Sequence, residues 1–378
     1  MNYGEESVST RKLSGGQIFT GLKKKLKTKE DLSIYYTPGI AEPCRLIAQD
    51  KTLTKTLTIK KNSVAVISDG SAVLGLGNIG PEAGLPVMEG KSMLFKNFAD
   101  IDAYPIVLAT QDTEEIIQTV KNIAPTFGGI NLEDISAPRC FEIEKRLSAM
   151  LDIPVFHDDQ DGTAMVVLAG LKNALRVVGK KKEDIKIVFS GSGAAGIAVA
   201  RLLKHWGVQH IKMVDSKGLI SCKRLGLTFP KKEFCSTQTG DLALAIKGAD
   251  VFIGVSKPNI VTQSMIESMN SDAIVFAMAN PNPEILPELA KKGGARIVAT
   301  GRSDFPNQVN NVLIFPGFFR GLLDSGISNI TTEMKIAAAE TLASCISNPT
   351  EEEIIPYALD FNIVPKIAAT VKNFAKHK

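Results

Sequence analysis

Residues 185–196 read Ile185-Lys186-Ile187-Val188-Phe189-Ser190-Gly191-Ser192-Gly193-Ala194-Ala195-Gly196. A β-branched run leads directly into Gly-x-Gly-x-x-Gly, and Ala194 to His205 has the composition of a helix. In that setting the first glycine permits a tight turn, the second lets backbone approach a pyrophosphate, and the third lets helix pack on strand. The free N–H groups of the helix start, Ser192, Ala194 and Ala195 among them, then face phosphate oxygens. The next strand, Ile211 to Asp215, ends in an acid about 24 positions after Gly191, where an acceptor for a ribose hydroxyl belongs. Asp215 leans towards NAD, because it repels a 2′-phosphate, and neighbouring Lys217 partly offsets that repulsion. The stretch predicts a dinucleotide-binding unit.

Working outward, further strands are predicted at Val251–Val255, Ile274–Met278 and Arg296–Thr300, with helical segments at Gly240–Lys247 and Ile285–Lys291. This alternation predicts crossover units and a doubly wound parallel sheet. Beyond Asn329 the pattern is plain helix, around Met334–Leu342 and Ile363–Phe374. The first half differs. Val64-Ala65-Val66-Ile67-Ser68 reads as a buried strand, and glycines follow at 75, 77, 80, 84 and 90, ending where Gly90-Lys91-Ser92-Met93 starts a helix or buried segment. The predicted organisation is an α/β substrate- and metal-binding domain over 1–160, a Rossmann domain over 161–325, and terminal helices over 326–378 that pack back on the first domain. A small parallel sheet is predicted around Val64–Ser68 and Ala103–Leu108.

Composition narrows the classes. The chain has 378 residues, a length for two or three domains, with 44% hydrophobic residues and a formal charge of +4. That charge is too small to indicate nucleic acid or an anionic membrane, and Lys23–Lys25 and Lys180–Lys182 read as solvated surface. No run of 18 apolar residues suggests a membrane helix, and the polar opening Met1–Glu6 lacks a signal pattern. Cys44, Cys140, Cys222, Cys235 and Cys345 form no Cys-x-x-Cys pair, which predicts reduced thiols in a cytoplasmic protein rather than a disulfide framework or a zinc site.

Two acidic motifs precede the glycine loop: Asn131-Leu132-Glu133-Asp134-Ile135 and Phe156-His157-Asp158-Asp159-Gln160-Asp161-Gly162. Each could be a surface turn. Together, in a chain with a nucleotide fold, they suggest oxygen ligands for Mg²⁺ or Mn²⁺, while His157 reads as a structural histidine rather than a ligand. Lys91 is either an exposed charge at a helix start or, if desolvated, a base with a lowered pKa. Tyr36 sits before Thr37-Pro38-Gly39 and could act as a phenolic acid. Asn280 follows the carboxyl end of a strand and Asn311 lies in Gln308-Val309-Asn310-Asn311; asparagines in the crevice beyond strand ends could hold a carboxylate or hydroxyl.

Read together, seven strings resemble the malic enzyme family, in particular its short bacterial branch: YTPGIAEPC (36–44), SDGSAVLGLGNIGPEAGLPVMEGKSMLFKNFADIDAYPI (68–106), NLEDISAPRCFEIE (131–144), FHDDQDGTA (156–164), GSGAAGIA (191–198), MANPNPE (278–284) and NQVNNVLIFPG (307–317). The resemblance implies oxidative decarboxylation of L-malate to pyruvate and CO₂ with NAD or NADP and Mg²⁺ or Mn²⁺, by a homodimer or higher oligomer. Carried over by motif, Glu133, Asp134 and Asp159 are the metal ligands, Lys91 the base for the C2 hydroxyl, and Tyr36 the acid for the enol. Asp158 supports the lysine or the metal shell. Asn280 and Asn311 hold substrate, Asn280 also borders the cofactor, and Gly191 to Gly196 with Asp215 carry the dinucleotide.

Two departures accompany the resemblance. The short branch usually has His where this chain has Asp161, and Ser71-Ala72-Val73 stands where the larger branch has a carboxylate-gripping arginine. No acyltransferase-like extension follows residue 378, so a fused two-activity form is not expected. Rival expectations are oxaloacetate decarboxylation or malolactic conversion on the same scaffold, a non-catalytic metabolite-binding regulator, and an amino-acid dehydrogenase of related architecture.

Overall fold

The structure, a computed structural model, describes residues 3–377; Met1, Asn2 and Lys378 lie outside the described residues. Strand β1 (Ser63–Ser68) is buried at all six positions, as a central parallel strand with helices on both faces must be. It lies between β2 (Asp102–Val107) and β3 (Gly129–Leu132), and β3 pairs with β4 (Val155–His157). All three pairings are parallel, in the order β2-β1-β3-β4. The first half therefore has the sheet that was expected, plus two strands that were not. Both are short, and each runs directly into one of the strings read above as acidic motifs.

The second sheet contains β5 (Lys186–Ser190), β6 (His210–Asp215), β7 (Gly218–Leu219), β8 (Val251–Gly254), β9 (Ala273–Ala277) and β10 (Ala295–Thr300), in the order β10-β9-β8-β5-β6-β7. All pairings are parallel except β6 with β7. Each predicted strand of this half is present to within a residue or two. Strand order reverses between β5 and β8, which opens a crevice at the carboxyl end of β5, where the glycine loop begins.

One hydrophobic cluster runs through both halves. Phe95, on the helix Pro81–Ala99, meets Phe315 and Phe319 of the helix Phe315–Ser325 edge-on, with ring centroids 4.7 and 5.1 Å apart. Phe156 of β4 meets Phe318 and Phe319 at 5.5 and 5.4 Å. Gly317 and Gly321 bring the helix Ile363–Asn373 against Phe315–Ser325; a Cβ on Gly321 would lie 2.6 Å from that of Val371. The chain end thus reaches the first sheet through an intermediate helix. Helix Thr163–Val178 buries eleven of its sixteen residues, and its Asn173 donates to the carbonyls of Ala343 and Ile354 at 2.9 and 3.0 Å.

Two expectations are corrected, and one is met. The two terminal helices fall where the sequence placed them, at Thr332–Ser344 and Ile363–Asn373. The helix expected to begin around Gly90 starts earlier, at Pro81, so Gly84 and Gly90 are helical and Lys91 lies in mid-helix. Cys222 and Cys235 form a disulfide, while Cys44, Cys140 and Cys345 are free thiols. A sequence separation of 13 hid that pairing; the neighbouring residues Ser221 and Ser236 form a parallel bridge that sets the two cysteines side by side. Among the described residues, no helix is long and apolar enough to cross a membrane.

Candidate active site

Glu133 and Asp134 directly follow β3, and Asp158 and Asp159 directly follow β4. Because these strands are parallel neighbours, residues just past their ends lie side by side. Carboxylate oxygens of Glu133, Asp134 and Asp159 all come within 4.8 Å of one another. The backbone is shaped to hold them. Asp134 takes a left-handed φ of 54°, unusual for a residue with a side chain, and its N–H donates to Asp159 Oδ2 at 2.8 Å. Asn131 donates to Glu133 Oε2 at 2.8 Å. Residues 158–162 form a wide helical turn in which a Cβ on Gly162 would fall 1.9 Å from Asp158 Oδ1.

Lys91 enters this cluster from the opposite side. Its Nζ lies 2.5 Å from Asp158 Oδ2 and 3.0 Å from Glu133 Oε1, and 4.5 Å from the centre of the Phe315 ring. The side chain is 8% exposed and that of Asp158 is fully buried. Burial alone would lower the lysine pKa, but Asp158 and Glu133 more than reverse it, so the ammonium is held charged well above its ordinary value. This corrects the sequence expectation. Desolvation is present, but so is an excess of negative charge that spacing did not reveal.

The carboxyls show the complementary effect. Burial pushes Glu133 and Asp158 up to about 7 and Asp159 up to about 6, despite the opposing pull of Lys91. Glu133, Asp158 and Asp159 all act on this one lysine, so these three acids outnumber the cation they face. Hard carboxylate oxygens converging with a deficit of cation fit a divalent ion such as Mg²⁺ or Mn²⁺. His157 is not among the converging ligands; burial pushes it down to about 4 and keeps it neutral.

A second charged group beneath the turn was not foreseen. Asp161 Oδ2 lies 2.5 Å from Lys335 Nζ, on the helix Thr332–Ser344. Glu144 accepts from the His157 N–H at 3.1 Å and from the Gln160 amide at 2.9 Å, and burial followed by repulsion from Asp161 pushes it up to about 8. The departure at Asp161 is thus matched by a lysine far along the chain, Lys335, which ties the acidic turn to the chain's last third. Near Ser71, Arg139 is engaged by Asp69 at 2.9 Å and by the Ser71 and Ser136 hydroxyls at 3.0 and 3.1 Å, which makes it a brace for that loop. Neither Glu144, Lys335 nor Arg139 stood out in the sequence; the only available signal was an acid at 161 that needed a partner.

The glycine loop behaves as its three positions require. Gly191 has φ 113°, a Cβ on Gly193 would meet nothing within 4 Å, and a Cβ on Gly196 would lie 2.2 Å from Gly191 O. The helix Ala194–Trp206 begins at Gly193 with no side-chain cap, leaving its first N–H groups available for an anion. The two halves meet at Asn280: a Cβ on Gly75 would lie 2.0 Å from its carbonyl oxygen. Glu284 fixes that loop, accepting from the N–H groups of Ser256 and Ala279 at 2.8 and 3.0 Å. Asn311 abuts the acidic turn, its Cβ 3.2 Å from where a Gly162 Cβ would sit. Glu133, Asp134, Asp158, Asp159 and Lys91 are therefore assembled, with Asn311 beside them. Tyr36 is not: its residue is 64% exposed, after a helix, Lys29–Tyr35, that buries no residue.

Residues 16–148 match the family model described as malic enzyme, N-terminal domain, and residues 160–375 the one described as malic enzyme, NAD binding domain. The chain is 56% identical over 364 residues to an NAD-dependent malic enzyme of Geobacillus stearothermophilus, covering 94% of this chain and 76% of that protein. It is 52% identical over 383 residues to a bifunctional malic/malolactic enzyme of Bacillus subtilis, covering 99% and 93%. The crystal structure of an NAD-dependent malic enzyme from Thermotoga maritima superposes with a TM-score of 0.93 at 48% identity, covering 97% of this chain and 98% of that one.

The raised carboxyls set a pH dependence. Unfolded carboxyls titrate near 4, whereas Glu133 and Asp159 titrate at about 7 and 6 in the fold. Between those limits the folded chain binds more protons, so metal-free stability falls as pH rises through that window. A divalent ion held by these carboxylates would have to displace the same protons. Titration with Mn²⁺ should therefore show affinity rising at least about tenfold from about pH 5.5 to about pH 7.5, with proton release; an affinity independent of pH would show the carboxylates to be already ionised.

Proposed function

The chain belongs to the malic enzyme family, and on that premise we propose that it oxidatively decarboxylates L-malate to pyruvate and CO₂, using NAD or NADP and Mg²⁺ or Mn²⁺. The observation that carries the reading is the contact of Lys91 with Asp158 and Glu133 beside three converging carboxylates. In this reading Glu133, Asp134 and Asp159 hold the metal, and Gly191–Gly196 with Asp215 and Asn280 hold the dinucleotide. When bound, the ion supplies Lewis-acid charge and the dinucleotide takes the hydride.

Lys91 takes the C2 hydroxyl proton, which requires its neutral form. Two features support that role. Compensation of Glu133 and Asp159 removes part of the charge that keeps the ammonium protonated. Asp158, with its carboxyl raised to about 7 and an oxygen 2.5 Å from Nζ, is placed to accept the lysine's proton beforehand. Asn280 and Asn311 orient the substrate carboxylate and hydroxyl without adding charge. Tyr36 donates the final proton to C3.

Residues 1–160 act as the substrate and metal domain, 161–325 as the cofactor domain, and 326–378 as helices returning to the first. The protein acts in the cytoplasm, where dinucleotide and malate are available. It does so as a homodimer: the helices Tyr3–Ser14, Lys29–Tyr35 and Ala41–Gln49 bury no residue, and Phe19, Leu22, Ile34 and Tyr36 are exposed alongside them. An apolar surface of this kind calls for a covering partner, and a second copy over it would desolvate Tyr36.

Three measurements test this reading. Malate with Mn²⁺ and each dinucleotide should give reduced cofactor and pyruvate in equal amounts; lactate without reduced cofactor would favour the malolactic course carried by the Bacillus relative. Lys91→Ala should lower kcat by about 10²–10⁴-fold while Mn²⁺ and dinucleotide affinities change only a few-fold, and a kcat retained within a few-fold would remove Lys91 from the role of base. Light scattering of the eluting protein should give twice the chain mass, and a monomer at assay concentration would refute the dimer.

A further inference from the structure

Cys222 and Cys235 are bonded in a chain whose other three cysteines are free thiols. Disulfides that form in a reducing cytoplasm are mostly transient and redox-sensing, not structural. The backbone around this one does not need it. Ser221 and Ser236 form a parallel bridge, the Cys222 N–H donates to Ser236 O at 2.8 Å, and the Ser236 N–H donates to Ile220 O at 2.8 Å. These hydrogen bonds close the mouth of the loop whether or not the sulfurs are joined. The covalent bond therefore acts on what lies between, residues 223–234.

That segment has little else to hold it. Phe234 is its one buried residue, while Leu225 and Phe229 are 95% and 76% exposed. The short helix Phe229–Lys232 buries nothing. The ion pairs of the segment lie close to solvent: Arg224 to Asp215 at 2.7 Å, Lys231 to Asp215 at 2.9 Å and Arg201 to Glu233 at 2.5 Å. Pairs of this kind contribute little to stability on their own. Two of the three end on Asp215, at the carboxyl end of β6. Arg224 is also anchored to the carbonyls of Lys217, Gly218 and Leu219, whereas Asp215 is the only partner of the Lys231 ammonium among the described residues. The segment restrained by the sulfur bond thus carries a lysine that holds one oxygen of this carboxylate. Cys222 is exposed to solvent, and Cys235 is half-buried against the core.

We propose that the Cys222–Cys235 pair is a thiol–disulfide switch that sets dinucleotide affinity. Oxidised, it holds residues 223–234 so that Lys231 and Arg224 together orient Asp215. Reduced, it lets Lys231 leave, and Asp215 Oδ2 loses its restraint. The proposal rests on the reading that Asp215 helps to hold the dinucleotide. The reductant is a low-molecular-weight thiol. Its thiolate attacks the exposed Cys222 Sγ, the S–S bond breaks, and Cys235 leaves as a thiolate that takes a proton from water. A second thiol attacks the mixed disulfide and releases Cys222. Two electrons pass to the protein from the two thiols, which depart as their own disulfide, and the reverse exchange restores the bond.

The test compares the full-length protein equilibrated with oxidised or with reduced glutathione. Thiol titration should count three free thiols in the first form and five in the second. Amide hydrogen exchange over 223–234 should be faster in the reduced form. Binding of NADH or NADPH, whichever is tighter, should weaken on reduction by at least about fivefold, the scale of one hydrogen bond. In malate turnover with Mn²⁺ the dinucleotide KM should rise by a similar factor while kcat stays within about twofold, and reoxidation should reverse each change. Cys222→Ser/Cys235→Ser should match the reduced form and ignore both reagents; the wild-type comparison decides the matter without it if that variant does not fold. Five free thiols after oxidation, equal dinucleotide affinity in the two forms, or a response retained in the variant would each overturn the switch and leave the role of Asp215 standing. Absence of dinucleotide binding in both forms would overturn the cofactor reading and the switch together.

Discussion

Three carboxylates, Glu133, Asp158 and Asp159, gathered around the buried ammonium of Lys91 are the constraint on which this structure turns. Charges removed from water cost several kcal/mol each unless compensated, and here compensation by the chain itself is incomplete. The imbalance shows in opposite directions on the two sides: Lys91 is held protonated, while Glu133, Asp158 and Asp159 are pushed towards their neutral forms. A fold tolerates such a site when something else supplies the missing charge, which is why the cluster reads as a receptor for a divalent cation rather than as a salt-bridge network for stability.

Much of the remaining architecture serves to keep that cluster in place. Parallel pairing of β3 with β4 delivers the acids from one side, and a long helix in the aromatic core delivers Lys91 from the other. The helix Phe315–Ser325 supports both, since its phenylalanines pack against Phe95 of the lysine-bearing helix and Phe156 of β4. Asp161–Lys335 then fastens the acidic turn to a helix from the last part of the chain. A close-packed core transmits displacement, so residues far apart in sequence jointly fix the distance between Lys91 and the acids.

The cofactor half follows a different logic. Its site consists mostly of backbone and open space: Gly193 faces nothing, and the helix behind it has unused N–H groups. Charged side chains gather at the end of β6, where Asp215 is engaged by Arg224 and Lys231. The two halves touch where the Gly75 backbone lies against the Asn280 carbonyl, a contact only glycine allows.

Sequence alone determined the elements whose signals are local. The strand, glycine loop and helix around Gly191 were legible because the turn, the phosphate approach and the helix packing each demand glycine at a fixed position. The parallel sheet of the second half was legible from alternating buried runs, and the acids and Lys91 from motif strings. Only the tertiary structure decided how those groups act on one another. That β3 and β4 are neighbours, that Lys91 faces two acids instead of solvent, that Asp161 meets Lys335, that Cys222 meets Cys235, and that Asp215 is already neutralised all depend on contacts between distant segments. The physical reason is that local conformation follows from side-chain shape and backbone freedom, whereas charge state follows from burial and from the charges that packing brings within a few ångströms.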